Sequence, residues 1–380
     1  MQVTQIYQVV NDAQKEVLGE SAIATEDLSQ IVDVGTAISS LDDGFEHFYN
    51  ALVNRIGAMI FVDRAYRGKF KKIFKKSWEF GSILGKVQAE LMDATENESW
   101  QIVQGASYDP YVVNLPVISS KFYNKMVTLE IDITSPVDQI KQSFKSADEM
   151  IRFVSMLEVM VLNSLELKME ILASRVVNNF IANLADAGGA KVVNLVSEYN
   201  VLHPNATITA TTALTTPEFL RYATSRMMEV KSFLAEYSTL YNIGGKARFT
   251  PADMLHLEIY SVFASRCKTY LQSDTFHKDL VELPNYEEVA KWQGTGTTGT
   301  DADRMKIDAT AITDDGSTKA VSVNNVVAVM FDHDALGILQ PKKKVRTAYN
   351  PKADYYNSFN TFDSRYFNDF NENGVVFTLN

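Results

Sequence analysis

The chain has 380 residues, 46% hydrophobic and 22% charged, with a mean hydropathy of -0.11. This composition is typical of a folded globular protein and excludes fibrous and disordered classes. The formal net charge of -11 argues against a protein that holds nucleic acid by neutralising phosphates, because that mode of binding needs a basic surface.

Cysteine content and hydropathy favour a cytosolic product. The single cysteine, Cys267, cannot form an internal disulfide, so a reducing compartment suffices. No apolar run approaches the roughly 20 residues of a membrane span. The first residues, MQVTQIYQVVNDAQKEV, place polar groups among the apolar positions, which is unlike a signal peptide.

Helical periodicity is visible at the N-terminus. Apolar residues recur at helical spacing over 4–18 and 27–38, and these helices fit either an extended N-terminal arm or an ordinary helical hairpin. A third helix is predicted over 42–56. The β-branched run after it predicts an extended segment near Met59 to Val62.

The stretch GKFKKIFKKSWEF interleaves basic and aromatic residues. Such a run can bind nucleic acid, but a solvated face or a contact with an acidic neighbour is the preferred interpretation. Residues 77–124 then lack a helical period, contain Pro110 and Pro116, and alternate in YVVNLPVI. A long excursion of this kind is usually functional, and we predict an extended two-stranded loop.

A half-buried strand is predicted from Met126 to Thr134, where apolar and polar residues alternate. The clearest element follows. Ser146 and Glu149 form a capping-box pattern, and no Gly or Pro interrupts the helix until Gly188. At 1.5 Å per residue this helix is about 60 Å long. This length exceeds the diameter of a small domain, so the helix must act as a spine on which separate parts of the protein pack.

The C-terminal half mixes short strands and helices. LHLEI alternates as a strand, VFASRCKTYL is predicted to be helical, and NVVAVMF is a buried-type strand. The tail is rich in aromatic residues. Asn373 and Gly374 predict the turn of a hairpin that leads into VVFTL.

No motif supports catalysis or a cofactor. Gly294, Gly296 and Gly299 spell G-x-G-x-x-G, but neither a buried strand precedes them nor an apolar helix follows, as a dinucleotide site requires. Cys267 lies mid-helix without a nearby histidine, so we interpret it as filler. Catalytic, cofactor-binding and metal-binding residues are therefore not assigned.

The segment FDHDALGILQPKKKVR suggests a metal site and a basic patch. Adjacent side chains such as Asp332, His333 and Asp334 alternate faces in an extended chain and cannot all reach one ion, so a polar turn is preferred. The run PKKKVR could be an import signal or a phosphate patch. It fits better an edge strand whose lysines discourage unwanted pairing.

Several segments together resemble the major capsid proteins of tailed phages with the Hong Kong 97-type fold. They are NALVNRIGAMIFVDRAY before FKKIFKK, MVTLEIDITSPVDQIKQSF before the Ser146 helix, ADMLHLEIYSVFASRCKTYLQSDTFH, and VVAVMFDHDALGI with AYNPKADYYNSF and ENGVVFT. The resemblance implies an α+β fold. Its parts would be an N-terminal arm (1–45), a P-domain lead-in (46–67), an extended E-loop (68–125), the P-domain strand and spine helix (126–188), an A-domain (189–325) and a P-domain return sheet (326–380).

The resemblance implies a structural protein that self-assembles into pentamers and hexamers of an icosahedral shell around double-stranded DNA, in the host cytoplasm. Implied partners are scaffolding protein, portal, terminase and decoration proteins, with no sequence-specific DNA binding. It also assigns the basic stretches to subunit contacts. The candidates are Arg64, Arg67, Lys69, Lys71, Lys72, Lys75, Lys76, Trp78, Lys342, Lys343, Lys344 and Arg346.

Two alternatives stay open from the sequence. An encapsulin would share the fold but enclose an enzyme instead of a genome. A metal-dependent enzyme using Asp332 and His333 would belong to a different class and would form only small oligomers.

The basic stretch yields a first prediction. If its lysines meet acidic surface on a neighbouring copy, the double change Lys71→Glu and Lys72→Glu replaces attraction by repulsion and should suppress assembly, most strongly at low salt where charges are least screened. Sedimentation of the assembled fraction at low and high salt measures the effect. Unaltered assembly at low salt would reject the contact.

Overall fold

The computed structural model describes residues 3–19, 27–63, 70–75, 84–90, 92, 94, 96–97, 100, 103–123, 125–205, 207–272, 286–293, 300–312 and 317–380. The helices are α1 (Val3–Leu18), α2 (Ile31–Ser39), α3 (Gly44–Asp63), α4 (Val137–Ser143), α5 (Ala147–Ala187), α6 (Leu195–Leu202), α7 (Ala210–Ala213), α8 (Pro217–Leu234), α9 (Ser261–Gln272) and α10 (Asp301–Arg304). The strands are β1 (Phe74–Lys75), β2 (Leu84–Ala89), β3 (Ile118–Tyr123), β4 (Met126–Pro136), β5 (Val192–Asn194), β6 (Leu255–Tyr260), β7 (Tyr286–Val289), β8 (Ile307–Ile312), β9 (Thr318–Val323), β10 (Val326–Asp332), β11 (Leu336–Asn350), β12 (Tyr355–Asn368) and β13 (Gly374–Thr378).

The chain forms two compact units. The first comprises Met1–Ser77, Met126–Ala173 and Ile338–Arg365, and the second comprises Trp78–Lys125, Ser174–Gly337 and Tyr366–Asn380. The predicted spine helix is confirmed as α5, which has 41 residues and contributes residues to both units. A helix of this length exceeds what one small lobe can cover.

At the start of α5, the Ser146 half of the predicted capping box is present. The Ser146 hydroxyl accepts the backbone N–H of Glu149 at 3.3 Å. The Glu149 carboxylate accepts a hydrogen bond from Arg152 at 3.3 Å, one turn further along. At the other end Gly188 and Gly189 have φ values of 59° and 65°, a conformation that glycine adopts without strain and that ends the helix.

The first unit has a four-stranded sheet in the order β1-β11-β12-β4. Strand β4 confirms the prediction for 126–134: the inward side chains are buried or half-buried and alternate with exposed ones. Strands β12 and β4 are antiparallel, with Tyr355 opposite Pro136 and Arg365 opposite Met126. Among the described residues, β1 pairs with Ile338 and Leu339 of β11. The basic run further along β11 has no partner strand on that side within the described part of the chain, which fits the predicted edge.

Helices α1 to α4 and the first part of α5 form the core of the first unit. Val9, Val10 and Ala13 of α1 have no exposed surface and belong to this core. Arg55 of α3 also bonds the carboxylates of Asp12 and Glu16 at 3.1 and 3.2 Å. Helix α1 therefore packs against α3 within the first unit.

The extended segment predicted near Met59 to Val62 is wrong, because α3 continues to Asp63. A short apolar run rich in β-branched residues is compatible with either structure. Extending a helix that has already formed adds one hydrogen bond for each residue fixed, so propagation prevails over the weak β preference.

The second unit is built on a five-stranded mixed sheet in the order β5-β13-β10-β6-β7. Its central strand, β10, is buried at every residue, as the sequence NVVAVMF predicted. Helices α6, α8 and α9 cover one face through a single apolar cluster. Phe331 of β10 meets Phe180 of α5, with ring centroids 6.2 Å apart. The predicted strand at LHLEI is confirmed as β6, and the predicted helix VFASRCKTYL as α9.

The hairpin predicted at Asn373 and Gly374 is wrong. Strand β13 pairs with β10 and β5 and does not return along β12. A Cβ at Gly374 would lie 2.7 Å from the Phe180 ring and 3.0 Å from Leu184. Glycine is therefore needed here for close packing of the strand against α5, and the local Asn-Gly signal has a different cause.

This packing predicts the effect of Gly374→Ala. The added methyl group must displace the Phe180 ring from a fully buried site, and we expect the free energy of unfolding to fall by roughly 1–3 kcal/mol. Urea unfolding measures the change. Gly85→Ala is a matched control, because its Cβ would meet only the exposed ring of Phe122 at 3.3 Å. Equal effects of the two changes would contradict the packing argument.

Candidate assembly surfaces

The predicted interface residues are only partly described by the structure. Arg64, Arg67, Lys69, Lys76 and Trp78 lie outside the described residues. The backbones of Lys71 and Lys342 are described but their side chains are not. The remaining candidates are Lys72, Lys75, Lys343, Lys344 and Arg346.

The second basic run is partly engaged within its own sheet. The Lys344 ammonium lies 2.9 Å from the Asp363 carboxylate, and this hydrogen bond lowers the pKa of Asp363. Lys343 lies 6.0 Å from the ring centroid of Phe362. Arg346 is exposed on the same edge strand. These contacts fit the edge interpretation, and the role of these residues between subunits stays a prediction.

The suggested metal triad is a polar turn after β10. The Asp332 carboxylate accepts hydrogen bonds from the Thr250 hydroxyl at 2.7 Å and from the Asp334 N–H at 2.8 Å. Burial raises the pKa of Asp332 despite these bonds. His333 Nδ1 lies 2.7 Å from His256 Nε2. Within the described ranges no three His, Cys, Asp or Glu side chains are arranged to hold a metal ion.

Cys267 is buried in α9, as expected of filler. Burial raises the pKa of its thiol to about 12, opposed by the Thr224 hydroxyl, so the thiol stays protonated at neutral pH. The glycine motif at 294–299 lies outside the described residues.

The long two-stranded loop is confirmed as a hairpin, and we call residues 84–123 the hairpin loop. Strands β2 and β3 are antiparallel, with Leu84 opposite Tyr123 and Ala89 opposite Ile118. Lys86 lies directly opposite Lys121. Two like charges at opposed positions repel each other unless an anion lies between them.

Asp369, in the turn after β12, supplies that anion. Its side chain has no exposed surface, and its carboxylate oxygens lie 2.8 Å from the Lys86 ammonium and 3.1 Å from that of Lys121. Glu372 from the same turn accepts hydrogen bonds from Lys86 at 2.7 Å and from Gln88 at 2.6 Å. We call these five residues the hairpin anchor.

Further polar contacts extend the hairpin anchor. Arg248 donates to the Gln88 side-chain oxygen at 2.7 Å, and Lys246 pairs with Glu90. The Lys86 ammonium also donates to the backbone oxygen of Asp334 at 3.3 Å. The base of the hairpin loop is therefore fixed by charged hydrogen bonds, which are shorter and stronger than hydrogen bonds between neutral groups.

The pKa shifts of Asp369 and Lys86 favour the charged form of both groups. Burial acts to raise the pKa of Asp369, but the hydrogen bond and charge of Lys86, with help from the Asn371 N–H and Lys121, hold it below its ordinary value. Burial acts to lower the pKa of Lys86, but Asp369 and Glu372 hold it above its ordinary value. Burial and the Asp369 charge raise the pKa of Tyr123, which remains a neutral phenol.

Sequence reasoning missed the hairpin anchor. Asp369 and Lys121 are separated by 248 positions, so no local pattern joins them. The one local signal is the acidic pair in NDFNENG, a stretch whose Asn-Gly pattern instead predicts a turn into a hairpin.

Beyond the anchor, residues 103–118 of the hairpin loop are exposed to solvent. We call this run the exposed segment. It carries large apolar side chains with little buried surface, among them Tyr111 at 85% exposure and Val113 and Leu115 at 78%. Contiguous exposed apolar surface of this kind marks a site of association.

Comparison with known proteins identifies the family. A model of the Phi29-like phage major capsid protein matches residues 10–378. The chain belongs to this family. This capsid protein is therefore a structural component of a tailed-phage virion that forms an icosahedral shell, and the family favours a phage over the encapsulin and enzyme alternatives.

Solved structures confirm the Hong Kong 97-type fold. A chain from the capsid of Staphylococcus phage Andhra has a TM-score of 0.50 and 12% identity, covering 84% of this capsid protein and 86% of that chain. A chain from the structure of the head fiber and inner core protein gp22 of native bacteriophage P68 has a TM-score of 0.54 and 12% identity, with 84% and 86% covered. At this identity the likeness concerns the fold alone.

No curated protein matches this capsid protein. Among its described helices, none combines the length and the apolar character needed to cross a membrane.

The hairpin anchor predicts the effect of Asp369→Asn. Removing the charge leaves two ammonium groups around a neutral amide, and we expect the free energy of unfolding at neutral pH to fall by roughly 3 kcal/mol. Glu288→Gln is the control: it breaks the exposed 2.7 Å pair with Lys268, which should matter by less than about 1 kcal/mol. Urea unfolding and hydrogen exchange of β2 and β3 measure both variants.

The same variant should change the pH dependence of stability. The folded-state pKa of Asp369 lies below the ordinary 3.8, so its contribution is complete above that pH and is lost as the pH falls through the folded value. Asp369→Asn should flatten the fall of unfolding free energy below about pH 4. If the variant's unfolding free energy falls below about pH 4 as steeply as that of the wild type, the charged contacts of Asp369 do not stabilise the fold.

Proposed function

We propose that copies of this capsid protein close into pentamers and hexamers that tile the shell around packaged double-stranded DNA. The observation that carries this proposal is the exposed segment, whose apolar side chains gain burial only on association. Heterologous contacts that close into rings satisfy such surfaces without leaving open ends. Weak contacts become a stable shell because each subunit makes many of them at once.

In this proposal the chain has the division implied by its resemblance to capsid proteins. Residues 1–45 are the N-terminal arm, 46–67 the P-domain lead-in, 68–125 the E-loop, 126–188 the P-domain strand and spine helix, 189–325 the A-domain and 326–380 the return sheet. The anchored base and exposed segment of the hairpin loop support the E-loop role. The A-domain would lie around the ring axis.

The basic candidates would contact acidic surface on neighbouring copies. They are Arg64, Arg67, Lys69, Lys71, Lys72, Lys75, Lys76, Lys342, Lys343, Lys344 and Arg346, with Trp78 beside them. The exposure of Arg346 and the overall charge of -11 support this assignment, because a neighbouring copy offers abundant acidic groups.

Assembly in the host cytoplasm would involve scaffolding protein, a portal, terminase and decoration proteins. The DNA would be enclosed without sequence-specific binding. The net charge of -11 supports this, because an acidic protein does not hold phosphates tightly.

The test is assembly of the purified full-length protein, followed by electron microscopy and sedimentation. Wild type should form closed shells. Val112→Asp with Val113→Asp places charge on the apolar part of the exposed segment and should reduce the shell fraction at least about tenfold, without changing subunit stability, because both side chains are exposed.

The matched control is Gln104→Asp with Ser107→Asp, which adds the same charge to the exposed segment but removes no apolar side chain. It should assemble nearly as wild type does. A wild-type protein that stays a compact monomer under all associating conditions would reject the proposal, as would normal assembly of the valine variant.

A further inference from the structure

The first unit contains an open groove of about 640 Å³ among α2, α3 and α4. We call it the α2–α4 groove. Its volume is in the range of pockets that bind small molecules. The residues that define it are Gly35 and Thr36 on α2, Phe45 on α3, Lys141 on α4, and Phe144 and Lys145 just after α4.

The floor of the α2–α4 groove is aromatic. Phe45 and Phe144 meet edge to face, with ring centroids 5.7 Å apart. A Cβ on Gly35 would lie 2.7 Å from Phe144, so the absence of a side chain at Gly35 lets α2 approach the ring closely. An aromatic floor of this kind suits another aromatic ring.

The rim of the α2–α4 groove is basic. Lys141 and Lys145 are exposed, and the Lys141 ammonium lies 5.9 Å from the ring centroid of Phe45. Among the residues that the structure describes, neither ammonium has a carboxylate partner. The groove therefore combines an aromatic floor with two ammonium groups that have no carboxylate partner within the described ranges, in a protein whose net charge is -11.

The hairpin loop has the complementary chemistry. Between positions 90 and 117 the sequence contains five acidic residues and no Lys, Arg or His. Within the exposed segment Asp109 and Tyr111 flank Pro110, and Asp109 Oδ1 accepts the backbone N–H of Tyr111 at 2.9 Å. This bond fixes a carboxylate beside a ring that is 85% exposed.

We infer that Tyr111 of one copy occupies the α2–α4 groove of another copy, with the Asp109 carboxylate between Lys141 and Lys145. The inference rests on the proposed shell, in which hairpin loops overlie neighbouring copies, and it names the receiving surface. The ring stacks on the aromatic floor, and the carboxylate neutralises the basic rim. The prearranged turn reduces the conformational entropy lost on binding.

Charge reversal tests the pairing. Lys141→Glu with Lys145→Glu should reduce the shell fraction at least about tenfold, because two repulsive contacts replace two attractive ones in every copy. Adding Asp109→Lys to that variant should restore assembly. Asp109→Lys alone should be defective. Circular dichroism checks that the exposed substitutions leave each subunit folded.

Crosslinking provides the second measurement. Thr36→Cys combined with Tyr111→Cys, treated with a short bismaleimide, should give a ladder of covalent oligomers on a denaturing gel. Thr36→Cys combined with Val201→Cys is the control, since Val201 is 78% exposed in α6 and outside the proposed contact. The native Cys267 is buried and should not react.

The outcomes separate this inference from the proposed function. Suppose that the wild type forms shells. Equal ladders from the two cysteine pairs, crosslinks only within single subunits, or no rescue by Asp109→Lys would each overturn the groove assignment. None of these results would contradict the proposed shell. Absence of wild-type shells would reject the proposed function and this contact with it.

Discussion

The carboxylate of Asp369 has no exposed surface, and a charge in that position is stable only when neighbouring groups neutralise it. Lys86 and Lys121 do so, and both belong to the hairpin loop. Without this anion, the ammonium groups of Lys86 and Lys121 would repel each other, because the two residues lie opposite each other in the hairpin. The contact between Asp369 and the two lysines thus offsets both the cost of burying a carboxylate and the repulsion between two ammonium groups. The register of the hairpin base follows from this contact.

Because the base of the hairpin loop is fixed, the rest of the loop can remain exposed to solvent. The strands β2 and β3 are held by directional contacts at Asp369 and Glu372, so the exposed segment need not fold back to be kept in place. Its apolar side chains remain in water at a free-energy cost that association removes. A loop of this construction is suited to a protein whose working form is a shell of identical copies.

Charge is distributed unevenly along the chain, and this bears on how copies recognise one another. The region between 90 and 117 is wholly acidic in its charged residues, whereas the stretch 69–76 and the rim of the α2–α4 groove are basic. Electrostatic complementarity of this kind contributes to register and partner choice more than to raw affinity. Repetition over many subunits then supplies stability.

The sequence by itself determined the elements whose signal is local: the spine helix α5, the alternating strand β4, the buried strand β10, and the two-stranded hairpin loop. Each depends on periodicity among near neighbours. The tertiary structure alone decided that β13 lies between β10 and β5, that Gly374 makes room for Phe180, and that Asp369 anchors Lys86 and Lys121. Those features depend on residues that are far apart in the sequence, such as Lys121 and Asp369, which are separated by 248 positions. A charge or a methyl group at such a distance leaves no trace in the local pattern.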